Sequence, residues 1–157
     1  MKIQLICIGK TDDKYLIEGI EKYLQRLKHY TSFKMTVIPD LKNAKHLSEA
    51  EQKAQEAKMI QKHLLPADWL VLLDERGEQL TSKGFSTFIN KKAIASVQQL
   101  VFVIGGPYGF DDSIYQLAKN QLSLSKMTFS HQMVRLFFSE QLYRAFSILK
   151  GEPYHHE

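Results

Sequence analysis

Val101-Phe102-Val103-Ile104-Gly105-Gly106-Pro107-Tyr108-Gly109-Phe110 decides the fold of this chain. Its first four residues are apolar without a break. That is the pattern of a strand buried on both faces, and such strands belong to parallel sheets covered by helices. Gly105, Gly106 and Gly109 then make a tight turn in which bare backbone can come close to a ligand. Further on, Leu122-Ser123-Leu124-Ser125-Lys126-Met127-Thr128-Phe129 reads as an apolar strand running into a polar loop ahead of a long helix. Two loops at the carboxyl ends of neighbouring strands frame the crevice in which open α/β sheets hold small ligands.

Outward from that pair, strands and helices alternate. Lys2 to Gly9 reads as a buried strand, and Thr11-Asp12-Asp13 opens a helix whose Leu16, Ile20, Tyr23, Leu24 and Leu27 recur at helical spacing. Phe33 to Ile38 is a second strand, stopped by Pro39. Ser48 and Glu51 form a capping box for a helix to about Leu65, with Ala50, Ala54, Ala57, Ile60 and Leu64 expected inside. Trp69 to Leu73 is a third strand, followed by a turn at Asp74-Glu75-Arg76-Gly77-Glu78. Thr81 or Ser82 caps a helix to about Ala95, Leu100 to Ile104 is the fourth strand, and Asp111-Asp112 opens a short helix to Lys119. Gln121 to Leu124 is the fifth strand, and the last helix spans about Ser130 to Leu149, leaving a tail from Glu152 to Glu157. The alternation predicts a single α/β domain over residues 1–157 with a mainly parallel sheet flanked by helices.

The last helix is apolar nearly all round: Met133, Val134, Leu136, Phe137, Phe138, Leu142, Tyr143, Ala145, Phe146, Ile148 and Leu149. Such a helix needs cover on both sides, which predicts a homodimer through it, with Glu140 and Arg144 paired on its polar edge.

A length of 157 residues suits one core, and 44% hydrophobic with 24% charged residues is ordinary for a soluble globular protein. No apolar run reaches membrane-spanning length and the chain starts directly on a strand, so a soluble cytoplasmic protein is expected. Cys7, the sole cysteine, reads as a buried structural thiol. The net charge of +4 is compatible with an RNA partner without requiring one.

Gly9-Lys10-Thr11 matches the end of a phosphate-binding loop, but Gln4 stands where that motif needs its first glycine. The glycine turn is not a dinucleotide fingerprint either, and a tight turn with no ligand explains it as well as a binding site does. None of the six histidines pairs with cysteines or acids at metal-ligand spacing, so no metal is expected. His131 at the start of the last helix reads either as a helix-start residue or as a pocket contact. Asp74 and Glu75 could meet a ribose, though a solvated turn is the commoner outcome.

Phe102 to Gly109, Leu122 to Arg135, Glu140-Gln141-Leu142-Tyr143-Arg144-Ala145-Phe146 and Pro153-Tyr154-His155 together resemble the RlmH family of SPOUT methyltransferases. The opening Met1 to Leu5 strand and Leu72-Leu73-Asp74 fit as well, so the likeness covers nearly the whole chain. The resemblance implies a deep trefoil knot near the C-terminus, a homodimer, and methyl transfer from S-adenosylmethionine to N3 of a pseudouridine in ribosomal RNA of the large subunit. It also implies that Leu73, Gly105 and the loop Leu124, Ser125, Lys126, Met127, Thr128 and Phe129 hold the cofactor. We expect His131 and Arg135 at the pocket rim, and Tyr154 and His155 in the tail, to position the target base or help with its proton. One departure is His156, where relatives often carry Arg or Lys. Two rivals stay open: another nucleotide-dependent enzyme using the same crevice, and a non-catalytic RNA- or ribosome-binding module with this fold.

Overall fold

Alternating apolar faces and helical apolar stripes fold into five strands and five helices in the computed structural model, which describes residues 1–156. They run β1 (Lys2–Ile8), α1 (Lys14–Leu27), β2 (Ser32–Ile38), α2 (Glu49–Gln61), β3 (Trp69–Gln79), α3 (Ser82–Ile94), β4 (Gln99–Ile104), α4 (Asp112–Leu117), β5 (Asn120–Ser123) and α5 (His131–Leu149), with a 3₁₀ turn at Ala44–His46. The strands form one sheet in the order β2-β1-β4-β3-β5, and every pairing is parallel. All carboxyl ends therefore lie along one edge.

Period-two alternation divides the core. Ile3, Leu5 and Cys7 of β1, with Leu100, Phe102 and Ile104 of β4, pack against Phe85 and Ile89 of α3 and Phe138, Leu142 and Ala145 of α5. Ile6, Val101 and Val103 point the other way, onto Ala57 and Ile60 of α2 and Ile114 of α4. Phe102 and Phe138 anchor the first layer, with ring centroids 4.7 Å apart. Burial pushes the Cys7 thiol up to about 12, and it remains a core side chain as expected.

Helix starts follow their caps. The side chains of Ser48, Thr81, Asp111 and Ser130 accept from the N–H groups of Glu51, Gly84, Ser113 and Met133. α1 begins at Lys14 with Asp13 in the N-cap position, so the acids expected in its first turn precede it, and the Thr11 hydroxyl accepts from Arg135. α2 buries Ala57 and Ile60 as expected but leaves Ala50 exposed, with Ala54 and Leu64 half-buried. The expected turn after Leu73 is a bulge inside a longer strand: Leu73 and Glu78 share Leu122 as partner, so Asp74, Glu75, Arg76 and Gly77 stand out of the ladder.

α5 lies between α1 and the α3 side of the sheet, with Leu136 of α5 seated over Gly19 of α1. Part of the apolar girth that implied a second subunit is thus covered within the chain: Phe138, Leu142 and Ala145 are buried, while Leu149 is exposed and the others are half-buried. Among the described residues no helix is long and apolar enough to cross a membrane.

Candidate active site

β3 and β4 are neighbours, yet the connection leaving β3 goes to α3 on one face of the sheet and that leaving β4 goes to α4 on the other. Diverging connections open a crevice between the two carboxyl ends, the position where parallel α/β sheets bind ligands. A cavity of about 460 Å³ fills it. One wall is the glycine turn, closed by the Gly109 N–H donating to the Gly106 carbonyl at 3.1 Å, with Gly109 at φ +82°. The opposite wall is the loop ahead of α5. There Ser123 Oγ donates to the Ser125 carbonyl (2.8 Å) and Ser125 Oγ accepts from Met127 N–H (2.9 Å), so the serines shape the loop's own backbone. Phe129 leans on Phe137, ring centroids 4.9 Å apart. Of the expected cofactor residues, Leu73, Gly105, Leu124, Ser125, Met127, Thr128 and Phe129 line this one cavity. Lys126 is absent from its lining.

The bulge after Leu73, where Asp74 and Glu75 were weighed as a ribose contact against a solvated turn, supplies a third wall. The Asp74 side chain, 7% exposed, accepts from the Tyr115 hydroxyl and from the Arg76 N–H (2.8 Å). Arg76 in turn donates to the Tyr115 oxygen at 3.0 Å, although its own side chain is 76% exposed. Burial and the bond to Asp74 hold the Tyr115 phenol above its ordinary pKa. Asp74 is therefore a fixed, water-poor carboxylate, not the solvated turn residue that is the commoner outcome. Tyr115 gave no signal because its partner is 41 positions away.

A family model described as a predicted SPOUT methyltransferase matches residues 1–155. The chain belongs to the SPOUT methyltransferase family. It is 59% identical over its full length, and over all of the relative, to "Ribosomal RNA large subunit methyltransferase H" of Parabacteroides distasonis. It is 55% identical to the protein of that name from Christiangramia forsetii, covering 99% of each chain. Among solved structures, a probable methylase family protein from Haemophilus influenzae superposes with a TM-score of 0.52 at 11% identity, covering 99% of this chain and 70% of that one, a likeness of fold.

Within this SPOUT chain the four residues expected to handle the target base do not converge. His131 lines the cavity at an exposed position. Partial desolvation of its ring, and secondarily the positive charge of Arg135, lower its pKa. Arg135 is not at the rim. It is 1% exposed and turned away, donating to the Ile8 carbonyl (2.9 Å) and to Thr11 Oγ1 (3.1 Å) at the end of β1. A guanidinium with that many donors is held where backbone acceptors lie, and β1 ends directly beneath α5. Tyr154 and His155 also lie outside the cavity of their own chain. Tyr154 bonds Glu140 (3.0 Å) and Tyr23 (3.2 Å), and His155 Nδ1 sits 3.2 Å from Arg144. The expected Glu140–Arg144 pair is present.

Proposed function

We propose that this chain transfers a methyl group from S-adenosylmethionine to N3 of a pseudouridine in 23S ribosomal RNA, acting as a cytoplasmic homodimer on the large ribosomal subunit or the assembled ribosome. The observation that carries the reading is the cavity at the β3–β4 switch point, walled on two sides by the segments whose sequence resembles the RlmH family. Support for the substrate comes from relatives more than half identical that bear the name of a ribosomal RNA methyltransferase. The trefoil knot goes with this reading. After β5 the chain crosses back to β1, where Gln132 accepts from Asp12 N–H and donates to the Lys10 carbonyl.

The cavity has the volume of an ordinary cofactor site, and its walls offer backbone groups, apolar side chains and one fixed carboxylate, which suits an adenosyl group with a cationic tail. When bound, S-adenosylmethionine supplies a methyl group already made electrophilic by its sulfonium. What remains for the protein is orientation and removal of one imide proton. Leu73, Gly105 and the Leu124–Phe129 loop hold the cofactor. The target base must be splayed from its stack to reach it. His131, the one expected base-handling residue on the cavity wall, takes the N3 proton in its neutral form. Tyr154 and His155 act on the target from the tail in the assembled dimer. Two copies carry about +8, from +4 each, which favours RNA capture at low salt.

Transfer of tritium from labelled S-adenosylmethionine into ribosomes tests the reaction, with mass spectrometry placing the label. RNA binding without transfer would leave the non-catalytic module, and binding of a nicotinamide cofactor instead would favour the other nucleotide enzyme. Sedimentation tests the dimer. Because the His131 pKa is lowered, its neutral form persists into acid: kcat/KM should climb with pH along a limb lying below 6.5, then level off. His131→Asn should remove that limb and lower kcat/KM by about 10²-fold. An unchanged profile would assign the proton elsewhere.

A further inference from the structure

α2 is mostly solvated, yet it buries a glutamate. Glu56 is 4% exposed, on the helix that also buries Ala57 and Ile60. Its Oε2 accepts from Gln52 at 3.3 Å, and its Oε1 is buried with no hydrogen-bond partner among the described residues. The carboxyl has a second neighbour: a Cβ placed on Gly106 would stand 2.5 Å from both of its oxygens. Gly106 also lines the cofactor cavity, which Glu56 does not reach. One layer of backbone thus separates a buried carboxyl on the α2 side from the ligand space on the other. Gly106 is glycine because a carboxyl occupies the place of its side chain. Burial raises the Glu56 pKa, helped by the nearby charge of Asp40 and opposed by the bond from Gln52.

We infer that Glu56 is a positioning residue for the cofactor turn: its buried carboxyl fills the space over Gly106 and sets where the Gly105–Gly109 backbone stands in the cavity wall. This role presupposes that the cavity holds S-adenosylmethionine. Glu56 touches neither cofactor nor target, so it acts on affinity through Gly106 and leaves the chemical step alone.

A double-mutant cycle tests it. Calorimetric titration with S-adenosylmethionine should show Glu56→Ala and Gly106→Ala each weakening binding about tenfold, the first by removing the support and the second by displacing it. In the double variant the new methyl fills the vacated space, so binding should recover to nearer the wild type than either single change. Glu56→Gln, equal in shape, should bind as the wild type does, and kcat at saturating cofactor should stay within about twofold in Glu56→Ala. Additive losses, or a Glu56→Ala protein that melts earlier but binds unchanged, would overturn the role. Hydrogen exchange without ligand reads the same coupling: the amides of Gly105, Gly106, Tyr108 and Gly109 should exchange faster in Glu56→Ala and recover in the double variant. If the wild type fails to bind S-adenosylmethionine, the cofactor reading falls, and the exchange result alone decides for or against Glu56. Gly106→Ala carries the same exchange test should Glu56→Ala not fold.

Discussion

Gly77→Ala is expected to destabilise the protein by about 3 kcal/mol or more and to lower the melting temperature by roughly 6–12 °C. A Cβ at Gly77 would stand 2.6 Å from both the backbone N and C of Leu122 and 2.7 Å from the backbone C of Gln121. No side chain can swing aside, because every atom it meets is main chain in the neighbouring strand. Relief requires β3 and β5 to part where Leu73 and Glu78 share one partner residue. Leu122 begins the wall of the cavity, so the displacement reaches the ligand space and S-adenosylmethionine binding should fall with stability. Gly109→Ala is the control. Gly109 sits at φ +82° but meets nothing within 4 Å, so alanine there brings backbone strain of only about 1–2 kcal/mol. Denaturant unfolding of the two variants should separate them clearly. Equal losses would mean that the bulge opens without cost and that the close approach at Gly77 is not what fixes it.

The contrast between these glycines marks where sequence reading stops. Both follow apolar strands and both read as turn residues, since composition reports permissiveness at a position and not what fills the space around it. Apolar strand runs, helical stripes and the capping signals at Ser48 and Thr81 are local patterns, and the elements appear within a few residues of their expected places, except that β3 runs six residues past Leu73 to Gln79. The cavity walls at Gly105 and Leu124–Phe129 were legible for the same reason: a strand end and its loop are contiguous in the chain. Glu56, Tyr115 and Arg135 were not. Each is a polar residue whose decisive neighbour comes from a distant segment, and helical periodicity says only which side of α2, α4 or α5 it occupies. α5 shows the converse. Its apolar girth was read correctly as a demand for cover on both sides, but α1 meets part of that demand within the same chain.

Arg135→Met should cost about 2–4 kcal/mol of stability while leaving the side-chain volume nearly filled. The guanidinium is buried at the junction of β1, the loop after it and α5. Its loss strands the Ile8 carbonyl and the Thr11 hydroxyl without their donor. Arg135→Lys keeps the charge but offers one compact donor group where two separate N–H groups reach two acceptors, so it should recover only part of the loss. A second readout separates this account from a direct catalytic role. Arg135 is one of the two influences that lower the His131 pKa, so removing its charge should let that pKa rise toward 6.5. The acid limb of kcat/KM should then move to higher pH in Arg135→Met and stay near its wild-type position in Arg135→Lys. If Arg135 instead held the target nucleotide, both variants would lose kcat at unchanged stability and an unmoved limb. Steady-state rates across pH, taken beside unfolding curves, distinguish the two, because a residue that fastens α5 to β1 must show its loss first in the fold.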